Sequence, residues 1–253
     1  MSLNLQVKAF RHYLQKKPGM GWVLSAIWVL LIGELAFLWN LGSIGLVDET
    51  EPLFAEAARQ MTVTGDWVTP YFNGETRFDK PPLIYWLMAI AYKIIGVNEW
   101  STRLPSALAA IALMGMGFYL LYRFGGNLAT DSQPVAGPYW RSALIGSACI
   151  GLSPLNLIWG RTGVSDMLLS SCIGLALMTF FCGYAVSTPS PPSSLSPWYL
   201  AFYVFIALSV LTKGPVGIVL PGLAIGLFLL YVGNFREVLR EMRPLLGLLI
   251  ILG

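Results

Sequence analysis

Three carboxylates, Asp48, Glu49 and Glu51, follow directly on the first long apolar run of the chain. Carboxylates so placed can hold a divalent cation or act as a general base. They can equally form a solvated face, and the residues alone leave both readings open. Arg77 and Lys80 follow within GDWVTPYFNGETRFDKPPL, where two cations could neutralise a phosphate. Asp79 beside Lys80 could instead make a plain surface pair. Trp67, Tyr71 and Phe72 suit an interfacial aromatic belt or a stacking face for a sugar ring. Glu56 and Arg59 stand i,i+3 and read as a structural pair. Farther along, Arg161 and Asp166 precede one apolar run, and Lys213 in LTKGPVG separates two others.

These groups need a scaffold, and composition says which kind. The 253 residues are 56% hydrophobic and only 11% charged, against about 25% charged in a soluble domain. The apolar residues come in long runs with short polar breaks, as in a helical membrane protein. Of 29 formal charges, 13 fall within residues 41–104, so this loop is expected to form one wall of a polar site at a membrane surface. His12 is the only histidine, which disfavours His-based metal sites and His-dependent triads. Cys149, Cys172 and Cys182 match no metal spacing and read as small buried hydrophobes. The net charge of +3 reflects bases flanking apolar runs, so nucleic acid is not an expected partner.

Residues 1–20 read as a basic cytoplasmic tail and 21–253 as one transmembrane unit. Spans are expected near 21–39, 105–122, 142–159, 167–184, 198–212 and 214–232, with a seventh beginning near 244. The segment 82–97 is apolar but short and holds Lys93, so it reads as an interfacial helix; a full span there would invert everything downstream. With 82–97 not crossing, the Lys/Arg clusters of the tail, 123–141 and 233–243 share the cytoplasmic side. Loop 41–104, Arg161, Asp166 and Lys213 then share the opposite face. Within that loop PLFAEAARQM reads as a short helix with Pro52 in its first turn, and 65–82 as an ordered non-helical excursion. Glu34 lies inside the first span and requires a partner or a water-filled cavity. Arg103 reads as an anchor at the membrane boundary. The Ser/Pro-rich stretch 187–197 reads as a cytoplasmic connection. The sequence stops inside the apolar run LLGLLIILG, which suggests part of a longer chain.

The ordered run DETEPLFAEAARQM, GDWVTPYFNGETRFDKPPLIYW and RLPSA resembles the polytopic glycosyltransferases of the protein O-mannosyltransferase-like superfamily. It is most similar to the N-terminal half of the bacterial branch that contains the aminoarabinose transferase acting on lipid A. The resemblance implies an all-α transmembrane bundle of the GT-C type, with short juxtamembrane helices in the first outer loop. It also implies a cytoplasmic (inner) membrane location with that loop on the periplasmic side. The family's acidic pair falls on Asp48-Glu49 with a two-residue insertion before Phe54-Ala55-Glu56, or on Thr50-Glu51 without one. Its Lys-Pro motif falls on Lys80-Pro81, its second acidic position on Asp166 and a further lysine on Lys213.

From the resemblance, Asp48 with Glu49 and Asp166 would be catalytic, with a divalent metal at Asp48 and Asp166 an open alternative. Arg77, Lys80 and Lys213 would contact the donor phosphate. The expected reaction moves a sugar from a polyprenyl-phosphate donor to a lipid, glycan or protein acceptor. No glycine loop for a nucleotide sugar is present. Two rivals remain: a transporter or binding protein for lipid-linked saccharides, and an inactive truncated subunit. The first predicts internal repeats, and none is evident.

Overall fold

The structure is a computed structural model that describes residues 18–125, 140–186 and 196–252. The basic tail with His12 and most of the Ser/Pro-rich stretch lie outside the described residues. The first apolar run forms α1 (Pro18–Gly33), which continues as a π-helical turn (Glu34–Leu38). The polar loop holds α2 (Thr50–Thr64), the hairpin β1–β2 (Tyr71–Phe72 and Glu75–Thr76) and α3 (Leu83–Ile95). Then come α4 (Glu99–Phe124), α5 (Trp140–Gly151), α6 (Pro154–Gly160) and α7 (Ser165–Val186). The chain finishes with α8 (Pro197–Lys213), α9 (Val216–Val232), α10 (Phe235–Met242) and α11 (Pro244–Leu252).

Each expected span corresponds to a helix or a bent helix pair, but lengths differ. Among the described residues, only α4 and α7 are singly long and apolar enough to cross a membrane, with the α5–α6 pair a third if counted as one broken span. The 17-residue helices α8 and α9 reach only ~25 Å at 1.5 Å per residue, short of the ~30 Å hydrocarbon core. The 13 residues of α3 reach ~20 Å, in keeping with an interfacial helix. Leu30 and Leu31 of α1, Leu35 of the π-helical turn and Leu220, Leu223, Leu227 and Leu230 of α9 are exposed. In water such faces would drive aggregation; facing lipid or further protein they are compatible with solubility in a membrane.

Two boundaries differ from expectation for local reasons. Helix α4 begins at Glu99, not near Pro105. Asn98 accepts the Ser101 N–H while the Ser101 hydroxyl receives the Asn98 N–H, a reciprocal cap. Pro105 lies in the early part of the helix, where its missing N–H forfeits one intrahelical bond. The expected span 142–159 is broken by 57° between α5 and α6. Pro154 opens α6 and drives Ser153 to an extended conformation (φ −58°, ψ 133°), as a residue before proline favours.

A platform of α2 and α3 lies on the end of the bundle. Helix α2 buries Glu51, Phe54, Ala55, Ala58 and Met61, a stripe at i, i+3, i+4, i+7 and i+10. Phe54, Ala58 and Met61 form a core with Ile84, Tyr85, Met88 and Tyr92 of α3 and with Val164, Leu168 and Cys172. The Phe54 and Tyr85 rings stack with centroids 5.4 Å apart. Tyr92 bonds the Thr102 hydroxyl at 2.7 Å, and the Ser106 hydroxyl donates to the Val164 carbonyl at 3.1 Å. These contacts seat the polar loop on α4 and on the entry to α7. Cys172 and Cys182 are buried as expected, whereas Cys149 is exposed, because it lines an open groove with Trp28, Ile145 and Leu152.

Candidate functional site

Asp48 and Glu49 are exposed on the turn that enters α2. Asp48 holds a left-handed backbone (φ +66°), and its Oδ1 accepts the Glu49 N–H at 2.8 Å. Asp is one of the few non-glycine residues that tolerate this conformation, and strained backbone of this kind clusters at functional sites. The turn is closed by Glu51, whose Oε2 accepts the Val47 N–H at 2.7 Å.

Glu51 itself is only 1% exposed, and Arg103 only 5%. Arg103 Nε and Nη2 donate to the two Glu51 carboxylate oxygens at 2.8 and 2.9 Å. Its remaining donors meet the carbonyls of Leu41, Ile44 and Gly45, each at 2.9 Å. Glu51 Oε1 also accepts the Gly163 N–H at 2.6 Å. All five guanidinium N–H groups and the four acceptor positions of the carboxylate are therefore used. Burial alone would raise the Glu51 carboxyl, but the bonds from Arg103, Val47 and Gly163 outweigh it and hold it below its usual 4.5. Arg103 is thus no surface anchor at the membrane boundary: it is buried because a carboxylate and three carbonyls replace its water. No local signal marked this pair, whose members are 52 positions apart.

Lys80 is half-buried beside a cavity of about 300 Å³ lined by Val68, Pro70, Phe78, Asp79, Pro81 and Pro82. Its ammonium makes no hydrogen bond or ion pair among the described residues, although its charge helps to hold down the neighbouring Asp79 carboxyl. Arg77, by contrast, is committed: its Nε and Nη2 donate to Asp79 Oδ1 and Oδ2 at 2.9 and 2.8 Å. The pairing anticipated between Asp79 and Lys80 is therefore made with Arg77 instead. It closes the hairpin, whose Asn73-Gly74 turn has φ of 50° and 85°, the type I′ geometry that Asn-Gly favours. Lys93 lies 4.7 Å from the Trp67 ring centroid, which occupies one face that a sugar could otherwise have used.

The Arg77 guanidinium holds the Asp79 carboxyl below its usual 3.8. A depressed carboxyl contributes stability above its unfolded pKa and loses it as pH falls through the folded value. The Arg77–Asp79 latch should therefore loosen only below about pH 4. Amide exchange across residues 70–77 should accelerate there, and Asp79→Asn should remove this pH step; a step that survives in the variant would mean that another group is responsible.

Asp166, in the first turn of α7, accepts the Lys213 ammonium at 2.6 Å. Each end suits its helix, an acid at the N-terminus of α7 and a base at the C-terminus of α8. The structure thus joins a proposed acid and a proposed phosphate ligand in one pair. That pairing leaves Asp166 ill-disposed to a cation, and no cluster of three or more His, Cys, Asp or Glu is found among the described residues. Arg161 donates to the Ala36 and Asn40 carbonyls at 3.1 and 3.3 Å and so caps the end of the π-helical turn. Glu56 and Arg59 pair at 2.7 Å, the structural role expected of them. Glu34 is exposed at the start of the π-helical turn, and no partner for its carboxylate is found among the described residues. Among the described residues no hydrogen bond or ion pair joins Asp48 to Lys80 or to the Asp166–Lys213 pair. The bond from the Gly163 N–H to the Glu51 carboxylate ties the Asp48 turn to the Asp166 loop.

This arrangement of a juxtamembrane platform on a helical bundle has solved counterparts. The crystal structure of ArnT from Cupriavidus metallidurans in the apo state matches with TM-score 0.74 and 26% identity, over 93% of this chain and 40% of that one. The same protein bound to undecaprenyl phosphate matches with TM-score 0.71 and 28% identity, over 92% and 39%. The fold is therefore the all-α, multi-pass membrane fold of the GT-C glycosyltransferases. Residues 79–253 match the model of the dolichyl-phosphate-mannose-protein mannosyltransferase family, and the chain belongs to that family. The undecaprenyl phosphate-alpha-4-amino-4-deoxy-L-arabinose arabinosyl transferase of Shewanella sediminis is 29% identical over 85% of this chain. An uncharacterised protein of Aquifex aeolicus is 30% identical over 80% of it. The chain spans 36% and 37% of the lengths of these two relatives.

Proposed function

We propose that this chain carries the donor-side part of a glycosyltransferase that acts at the outer face of the cytoplasmic membrane. The donor is a polyprenyl-phosphate-linked sugar, and the acceptor is a lipid, a glycan or a protein hydroxyl. The observation that carries this reading is the half-buried Lys80, which makes no hydrogen bond or ion pair among the described residues, beside its proline-lined cavity and within a fold whose solved counterpart was crystallised with undecaprenyl phosphate. An ammonium at a site partly shielded from water suits a phosphate that becomes a leaving group. The acceptor oxygen attacks the sugar C1, the C1–O bond to phosphate breaks, and the polyprenyl phosphate leaves with the electron pair. Asp48 takes the acceptor proton, and Lys80 stabilises the phosphate charge, with Lys213 available once it leaves Asp166. The 4-amino-4-deoxy-L-arabinose of the named relatives is one candidate sugar.

Binding of undecaprenyl phosphate to the purified chain in lipid nanodiscs tests this directly. A hydrogen bond to a charged group contributes about 1.5–3 kcal/mol, so Lys80→Ala should weaken binding by roughly tenfold to a hundredfold. Equal affinity in the variant would remove Lys80 from the phosphate site.

A further inference from the structure

We infer that Glu51 and Arg103 are positioning residues that hold the Asp48–Glu49 turn in register with the loop leading to Asp166. This rests on the proposed transfer for its meaning, but its geometry stands apart from it. The left-handed Asp48 lies inside a short loop whose two ends converge on one carboxylate: the Val47 N–H donates to Oε2 of Glu51, four residues farther along. The same carboxylate reaches across to the Gly163 N–H, 112 positions away, through its other oxygen. Arg103 completes the node by gathering the Leu41, Ile44 and Gly45 carbonyls on the approach to the turn. Two segments distant in sequence, each carrying a candidate acid, are therefore hung on one buried ion pair. Glu51, with every acceptor position filled, has no lone pair left for substrate. Of the two alignments of the acidic pair, this assigns the substrate-facing role to Asp48 and the supporting role to Glu51.

Gly163 offers a test that keeps every charge in place. A Cβ there would stand 3.1 Å from Glu51 Oε1 and 2.7 Å from Thr102 Cγ2, so Gly163→Ala pushes on the node without opening the ion pair. Hydrogen exchange of the full chain in nanodiscs should show the amides of residues 47–49 exchanging roughly tenfold faster in Gly163→Ala. Undecaprenyl phosphate binding should stay within about twofold of wild type, while sugar transfer per folded molecule falls by about tenfold or more. Glu51→Gln, which sets an amide against backbone and guanidinium donors, should accelerate exchange at 47–49 and at 161–164 together. Exchange that changes only near residue 163 in Gly163→Ala overturns the inference, as does unchanged exchange at 47–49 in Glu51→Gln. A wild-type chain that binds no undecaprenyl phosphate counts against the proposed function, yet the exchange comparison still decides the positioning role.

Discussion

Asp48→Asn should lower sugar transfer by roughly 10²- to 10⁴-fold, the usual worth of a positioned general base. Asparagine retains an oxygen that can accept the Glu49 N–H, as Asp48 Oδ1 does. It also tolerates the left-handed backbone that Asp48 occupies. The turn should therefore persist, and the variant should differ chiefly in its inability to take a proton. Donor binding should be unchanged, because Lys80 lies on a separate segment beside its own cavity. The effect should thus appear in kcat and leave undecaprenyl phosphate affinity alone. A variant that retains more than about a tenth of wild-type kcat would exclude Asp48 as the base.

Arg103→Ala should be the most destabilising single substitution in the polar loop, at about 3–5 kcal/mol, the cost of stranding one partner of a buried ion pair. The magnitude follows from what remains: a carboxylate 1% exposed and the carbonyls of Leu41, Ile44 and Gly45 without their donor. The Glu51 carboxyl is held below 4.5 in the folded chain. Its contribution is therefore present at neutral pH and is lost as pH falls below about 4.5. Denaturant or thermal unfolding in detergent at pH 7 should show the full loss, and the gap between wild type and Arg103→Ala should narrow on acidification. The double variant Glu51→Leu/Arg103→Met should unfold at a higher temperature than Arg103→Ala, since it removes the stranded charge. A single variant as stable as wild type would show that the pair adds nothing to the platform.

How far the sequence carries depends on the range of the interactions involved. Helix positions follow from local hydrophobic patterning, and the α2 helix of the polar loop was legible from its apolar spacing and Pro52. The break at Ser153 was legible in principle, because proline restricts its neighbour wherever it occurs; the continuous apolar run hid it. The early start of α4 was carried by Asn98 and Ser101, a cap outweighed by the more conspicuous Pro105. Asn73-Gly74 likewise carried a hairpin signal within what read only as an ordered non-helical excursion. The candidate site was less accessible. Lys80, Asp166 and Lys213 were legible from charge type and span topology as well as from motif resemblance, but the Asp166–Lys213 pairing depends on how α7 and α8 pack. The Glu51–Arg103 pair had no counterpart in any local pattern. Glu51 read as one of three similar carboxylates, and only the fold separates the buried one from the two exposed ones.

The most direct measurement is sugar release from radiolabelled polyprenyl-phosphate sugars in proteoliposomes, with wild-type chain, Asp48→Asn and Lys80→Ala compared at equal folded amounts. Label should leave the donor in the wild type and be retained in both variants, with undecaprenyl phosphate binding kept by Asp48→Asn and weakened in Lys80→Ala. Release that proceeds equally in all three would contradict the assignment of this site. Donor binding without release in the wild type would contradict transfer by this chain and leave a protein that holds lipid-linked sugars.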